Sequence, residues 1–141
     1  MDLAQYIEKN EQSFEMWVEY DGFELQVAYV AKDGLRRLID ASRIRRFDPR
    51  THQATDDVDD KKLARNLAKL IRDWRGLTMG KMAELIPVKV DPDDMDRPVP
   101  YTAGNAEILV AQAYGLDRFL VDTVTDLQAF REAELAAEVK N

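Results

Sequence analysis

Residues 14–30 restrict the fold more than any other stretch, because they alternate with a period of two: Phe14, Met16, Val18 and Tyr20 are separated by Glu15, Trp17 and Glu19, and Phe23, Leu25, Val27 and Tyr29 by Glu24, Gln26 and Ala28. Such alternation places one set of side chains on one face of a strand. Asp21-Gly22 stands between the halves. That dipeptide favours a two-residue type I′ turn, in which both central residues take positive φ. The register follows: Tyr20 faces Phe23, Val18 faces Leu25, Met16 faces Val27 and Phe14 faces Tyr29, so every bulky apolar residue except Trp17 and Val30 falls on one side. An isolated hairpin is marginal in water, so this face needs a cover.

The remaining chain offers helices for that purpose. Leu3, Tyr6 and Ile7 suggest a short helix or ordered arm within residues 1–12. Leu35, Leu38, Ile39 and Ser42 recur at i, i+3, i+4 and i+7, which predicts a helix over 34–46 with Asp33 as N-cap and Arg36, Arg37, Arg43, Arg45 and Arg46 on its outer face and end. Residues 48–60 hold turn formers and acids and read as a mobile surface loop. Asp59 and Asp60 suit the positive end of the next helix, expected over 61–75, where Leu63, Leu67, Leu70, Ile71 and Trp74 form a stripe and Gly76 is placed as its C′ residue. Residues 77–90 fit a short helix or an extended segment, and 91–100 read as a loop stiffened by prolines. Thr102 can cap a helix over 103–114, Gly115 interrupts it, and Leu116, Phe119, Leu120, Thr123, Leu127 and Phe130 share a face of the next. The tail 132–141 has high helix propensity but few anchors and is expected to fray. The expected fold is therefore α+β in a single domain: an N-terminal β-hairpin packed on a mainly helical body, with a helical C-terminal third. A length of 141 residues suits one core.

Charge and composition narrow the function. Twenty Lys and Arg against 27 Asp and Glu give a net charge of -7, which opposes long-range attraction to nucleic acid or anionic lipid, although the arginine cluster can form a local basic patch. Cysteine is absent, so disulfides, thiolate metal sites and cysteine nucleophiles drop out. No apolar stretch approaches the ~20 residues of a membrane-spanning helix, and the N-terminus has neither a basic nor an apolar leader region. A cytoplasmic protein is expected.

Candidate reaction chemistry is sparse. The one histidine, His52, sits among turn formers with no serine beside it and no second histidine to complete a metal site. The run Asp91-Pro-Asp-Asp-Met-Asp puts Met95 where a calcium loop needs oxygen and lacks the central glycine. The glycines occur singly, which excludes the dinucleotide turn and the phosphate loop. No catalytic, cofactor or metal residue is therefore assigned, and no cofactor is expected. The arginine cluster at Arg36, Arg37, Arg43, Arg45 and Arg46 reads as either a solvated face or a docking surface for an acidic protein. Trp17, the bulky exception on the polar face of the hairpin, is either covered by the N-terminal arm or exposed as an interface anchor.

Several short motifs in order carry a resemblance: Trp74-Arg75-Gly76-Leu77, then Pro100-Tyr101-Thr102-Ala103-Gly104-Asn105-Ala106, then Tyr114-Gly115-Leu116-Asp117-Arg118-Phe119-Leu120, and Asp126-Leu127-Gln128-Ala129-Phe130. In this order, over about residues 14–131, the chain resembles the tail assembly chaperone family of long-tailed bacteriophages and prophages. The resemblance implies a non-enzymatic protein of phage morphogenesis that binds the tape measure protein, keeps it soluble, recruits tail tube subunits and is absent from the finished virion. The expected partner-binding residues are the five arginines with Trp17, Leu127 and Phe130. Self-association is also possible on this reading. The alternatives are a phage structural or connector component, and a small enzyme or regulator without a motif.

Overall fold

A computed structural model describes residues 1–7 and 14–140; positions 8–13 of the N-terminal arm and Asn141 lie outside the described residues. The first hairpin forms as the alternation dictates. Strands β1 (Glu15–Tyr20) and β2 (Phe23–Ala28) pair antiparallel with Met16 opposite Val27, Val18 opposite Leu25 and Tyr20 opposite Phe23. The turn residues Asp21 and Gly22 take φ of 47° and 90°, the positive values of a type I′ turn. Phe14 and Tyr29 extend the pairing by a backbone bond of 2.7 Å from the Tyr29 N–H to the Phe14 carbonyl.

The helix expected over 34–46 is shorter than its arginines. Helix α1 covers Lys32–Asp40, begins at Ala31 and not at an Asp33 cap, and buries none of its residues fully. The chain then turns into strand β3 (Arg43–Asp48), which pairs antiparallel with β4 (Gln53–Val58). Residues 48–60, expected as a loop, thus hold a strand and the turn leading to it. Among the described residues this second ribbon is anchored at its base. Ser42, fully buried, donates its hydroxyl to the Leu38 carbonyl at 2.9 Å and accepts a bond from the Asn66 amide at 2.9 Å. The Asp59 N–H donates to the Ser42 carbonyl at 2.8 Å, and helix α2 (Asp60–Ala68) follows at once.

The helix expected over 61–75 also divides. α2 stops at Ala68, and strand β5 (Ile71–Arg75) adds to β2, giving a three-stranded sheet in the order β1-β2-β5. The register of β2 against β5 shifts between Gln26 and Val27, so that Asp73 faces Gln26 while Ile71 faces Val27. That irregularity turns both Ile71 and Trp74 toward the core although they stand three apart, a spacing that mimics a helix. Gly76 has the positive φ of 77° expected of it, but it ends a strand and not a helix.

Helix α3 (Met79–Leu85) is capped by Thr78, whose hydroxyl accepts the Lys81 N–H at 3.2 Å, and residues 95–99 return beside it. Met79 N–H bonds to the Arg97 carbonyl and Gly80 N–H to that of Met95, both at 2.9 Å. A Cβ at Gly80 would lie 3.0 Å from the Met95 carbonyl oxygen, a tight contact to which the Met95 backbone would have to give way slightly. Thr102 caps α4 (Ala103–Gln112) as expected, and Gly115 in the left-handed conformation leads into α5 (Leu116–Val124). The face expected to run unbroken from Leu116 to Phe130 is split at Asp126, whose carboxylate accepts the Ala129 N–H at 3.2 Å in the first turn of α6 (Leu127–Lys140). The tail is helical through Lys140, because α6 lies along β1 and half-buries Ala129 and Ala133 against the core.

Helices α5 and α6 cover the apolar face of the hairpin, while α4 packs on α2. Tyr20 stacks at 4.8 Å on Phe119, the Val30 N–H bonds to the Val124 carbonyl at 2.9 Å, and Phe130 meets Phe14 and Tyr29 edge-on at 5.5 and 5.4 Å. The fold is α+β, with one core drawn from the β1-β2-β5 sheet and from helices α2 to α6, to which the β3–β4 ribbon contributes no buried residue. No helix among the described residues is long and apolar enough to cross a membrane.

Candidate partner-binding surface

Strand geometry redistributes the expected arginine face. Arg36 and Arg37 remain exposed on α1, whereas Arg43, Arg45 and Arg46 lie on β3, where successive side chains point to opposite sides. Arg43, Arg45 and Phe47 share one face of the ribbon with Ala54, Asp56 and Val58; Ile44, Arg46 and Asp48 share the other with Gln53, Thr55 and Asp57. Arg43 is held by Asp40 at 3.1 Å. Among the described residues no carboxylate lies within ion-pair distance of Arg36, Arg37, Arg45 or Arg46, although Asp56 is the cross-strand neighbour of Arg45. These exposed guanidinium groups are available to a partner. Phe47, 63% exposed, adds an apolar group beside them. It was hidden in the sequence because Phe47-Asp48-Pro49 read as the stop of a helix ending at Arg46.

The remaining candidates separate. Phe130 is fully buried between Phe14 and Tyr29, so it belongs to the core and is not a surface residue. Leu127, 40% exposed, stands at the start of the same helix. Trp17 is half-buried, and residues 8–12 of the arm that could cover it lie outside the described residues. Leu3, Tyr6 and Ile7 of the arm are exposed, and it is the Arg75 guanidinium that covers the indole, 4.1 Å from the ring centre. The negative face of the indole attracts the cation above it. Arg75 is fixed there by Glu24 through bonds of 2.9 and 3.1 Å, and this forked hydrogen bond holds the Glu24 carboxyl below the ordinary glutamate range. An open groove lined by Phe14, Trp17, Gln26, Ala133 and Ala137 separates this face from α6.

The motif residues, by contrast, converge. Trp74 from β5 donates its indole N–H to the Val99 carbonyl at 2.8 Å and meets Tyr101 edge-on at 5.1 Å. Tyr101 hydrogen-bonds to the Ile71 carbonyl, and its partial burial, with Asp73 adding and Arg72 opposing, raises the phenol pKa. Asn105 donates to the Pro100 carbonyl at 3.0 Å while its own N–H is taken by the Thr102 hydroxyl at 3.0 Å. Together these contacts latch the segment 99–105 to the edge of the sheet.

Among the described residues no three His, Cys, Asp or Glu side chains, those of the run Asp91–Asp96 included, stand close enough to share an ion. His52 takes a left-handed φ of 58° in the tip of the β3–β4 ribbon, with its ring 6.2 Å from Phe47. No family model, curated protein or solved structure matches the chain.

Proposed function

We propose that this chain is a tail assembly chaperone of a long-tailed phage or prophage, a non-enzymatic protein that binds the tape measure protein in the host cytoplasm, keeps it soluble and promotes assembly of the tail tube around it. The observation that carries the reading is the meeting of Trp74 with Val99 and Tyr101. Motif residues that are far apart in sequence build one latch, which gives their order and spacing a common structural reason. The exposed arginines of α1 and β3 supply a surface on an otherwise acidic protein that can attract acidic stretches of a partner, while the net charge of -7 keeps the complex soluble.

Coexpression tests the proposal. The tape measure protein of the same genome is expected to be insoluble alone and soluble with this chain, with a joint peak on size exclusion. Charge reversal at Arg36, Arg37, Arg45 and Arg46 is expected to weaken the complex more at low than at high salt. Absence of both solubility gain and complex sinks the chaperone reading. Stable incorporation into finished particles favours a structural or connector component instead.

A further inference from the structure

Among the described residues the β3–β4 ribbon is a two-stranded sheet with both edges open, and the edge of β3 has a definite hydrogen-bonding pattern. The Asp59 N–H donates to the Ser42 carbonyl, and Ser42 and Asp59 continue the register that sets Arg43 against Val58. Hydrogen-bonded pairs alternate along an antiparallel ladder, so Ile44 with Asp57 and Arg46 with Thr55 are the bonded pairs that follow. The backbone groups of Arg43, Arg45 and Phe47 therefore point away from β4. Among the described residues no other element bonds to them.

An open edge is ordinarily protected by charge, and this one is protected against its own kind. Two β3 edges would set arginine against arginine, and two β4 edges would set aspartate against aspartate. The same charges favour an acidic strand. Arg43 and Arg45 lie on one face of β3 beside Phe47, and Ile44 lies on the other.

We propose that β3 is a strand-addition site: its outer edge accepts an extended segment of a partner protein in which acidic and apolar residues alternate, the backbone pairing with Arg43, Arg45 and Phe47, the acids beside Arg43 and Arg45 and an apolar residue beside Ile44. The ribbon then becomes a three-stranded sheet. This goes beyond the chaperone reading and stands without it.

The probe is a fluorescein-labelled peptide of sequence Glu-Val-Glu-Val-Glu-Val-Glu-Val, with the corresponding Lys-Val peptide as control, added to the full chain. Anisotropy is expected to rise with the acidic peptide only, and the rise to diminish with salt. Hydrogen exchange read by NMR is expected to slow at the Arg43, Arg45 and Phe47 amides, while those of Ile44 and Arg46, already bonded to β4, change little. Arg45→Pro removes an outward N–H that the ribbon itself does not use, so it is expected to preserve the ladder and to weaken peptide binding by about three- to tenfold, the equivalent of one hydrogen bond. Arg45→Glu keeps the N–H and is expected to weaken binding at low salt only, which separates charge from backbone should the proline variant disturb the arm. Equal binding of the Lys-Val peptide, protection at other amides, or wild-type affinity in both variants overturns the proposal. So does peptide-independent self-association that Arg45→Pro abolishes, since the occupant of the edge would then be β4 of a second copy.

Discussion

The two hairpins of this molecule share a topology and little else. β1–β2 buries Met16, Phe23, Leu25 and Val27 on one face, is joined at one edge by β5 and is covered by the C-terminal helices. β3–β4 has no fully buried residue in either strand and is tied to the body through Ser42 and Asn66. The first is a load borne by the core; the second is specified locally, by its turn and ladder. A hairpin can thus be kept for what it covers or for what it presents, and only the first kind should matter to global stability.

The largest break in this comparison is Leu25→Asp. Leu25 is fully buried, and an unpaired charge there costs several kcal/mol against a typical total of about 5–15, so loss of cooperative melting by circular dichroism is expected. Unchanged melting would show that the hairpin is not the heart of the core. Next comes Trp74→Phe, which removes the indole bond and leaves the Val99 carbonyl unsatisfied; a loss of about 1–3 kcal/mol is expected, read by urea unfolding. Asn66→Ala is expected to act on the second hairpin alone. It removes the amide bond to Ser42, so amide exchange should accelerate at residues 43–58 while the denaturation midpoint moves by about 1 kcal/mol or less. Equal acceleration in β1–β2 would contradict the independence of the two ribbons.

The smallest effect concerns pH. Glu24 binds its proton less readily when folded because of Arg75, so the unfolded chain binds more protons near the carboxylate range. Its contribution is therefore present above the unfolded value, about 4.3, and is lost as pH falls through the lower folded value. Glu24→Gln is expected to flatten this part of the stability profile slightly, since both side chains remain partly open to solvent.

Legibility in the sequence followed the same division. The β1–β2 register could be read residue by residue because burial enforces a period of two, and the turn chemistry pinned its phase. β3–β4 could not, since a strand solvated on both faces has no apolar alternation; Arg43, Arg45 and Arg46 instead read as the outer face and end of the helix marked by Leu35, Leu38, Ile39 and Ser42. β5 was concealed by the irregularity opposite Gln26 and Val27, which gives Ile71 and Trp74 a helical spacing. The arginines were identified, but their separation onto α1 and two faces of β3 was not, because it depends on a strand the pattern does not reveal. Phe130 was misplaced for a simpler reason: an amphipathic stripe shows what is buried or sticky without distinguishing the two.

The ribbon tip also makes this chain divisible. Arg45, Arg46 and Arg50 are exposed on an arm outside the core, whereas β2 and β5, on opposite sides of that arm in sequence, are hydrogen-bonded neighbours in one sheet. Brief trypsin treatment should therefore nick the backbone there first, and the two pieces should leave a sizing column together, separating only in denaturant. Genes encoding the chain as two halves, cut at residues 49–51, should reassemble the fold by mixing, with an association constant that measures how much the uncut arm lends through covalent connection alone.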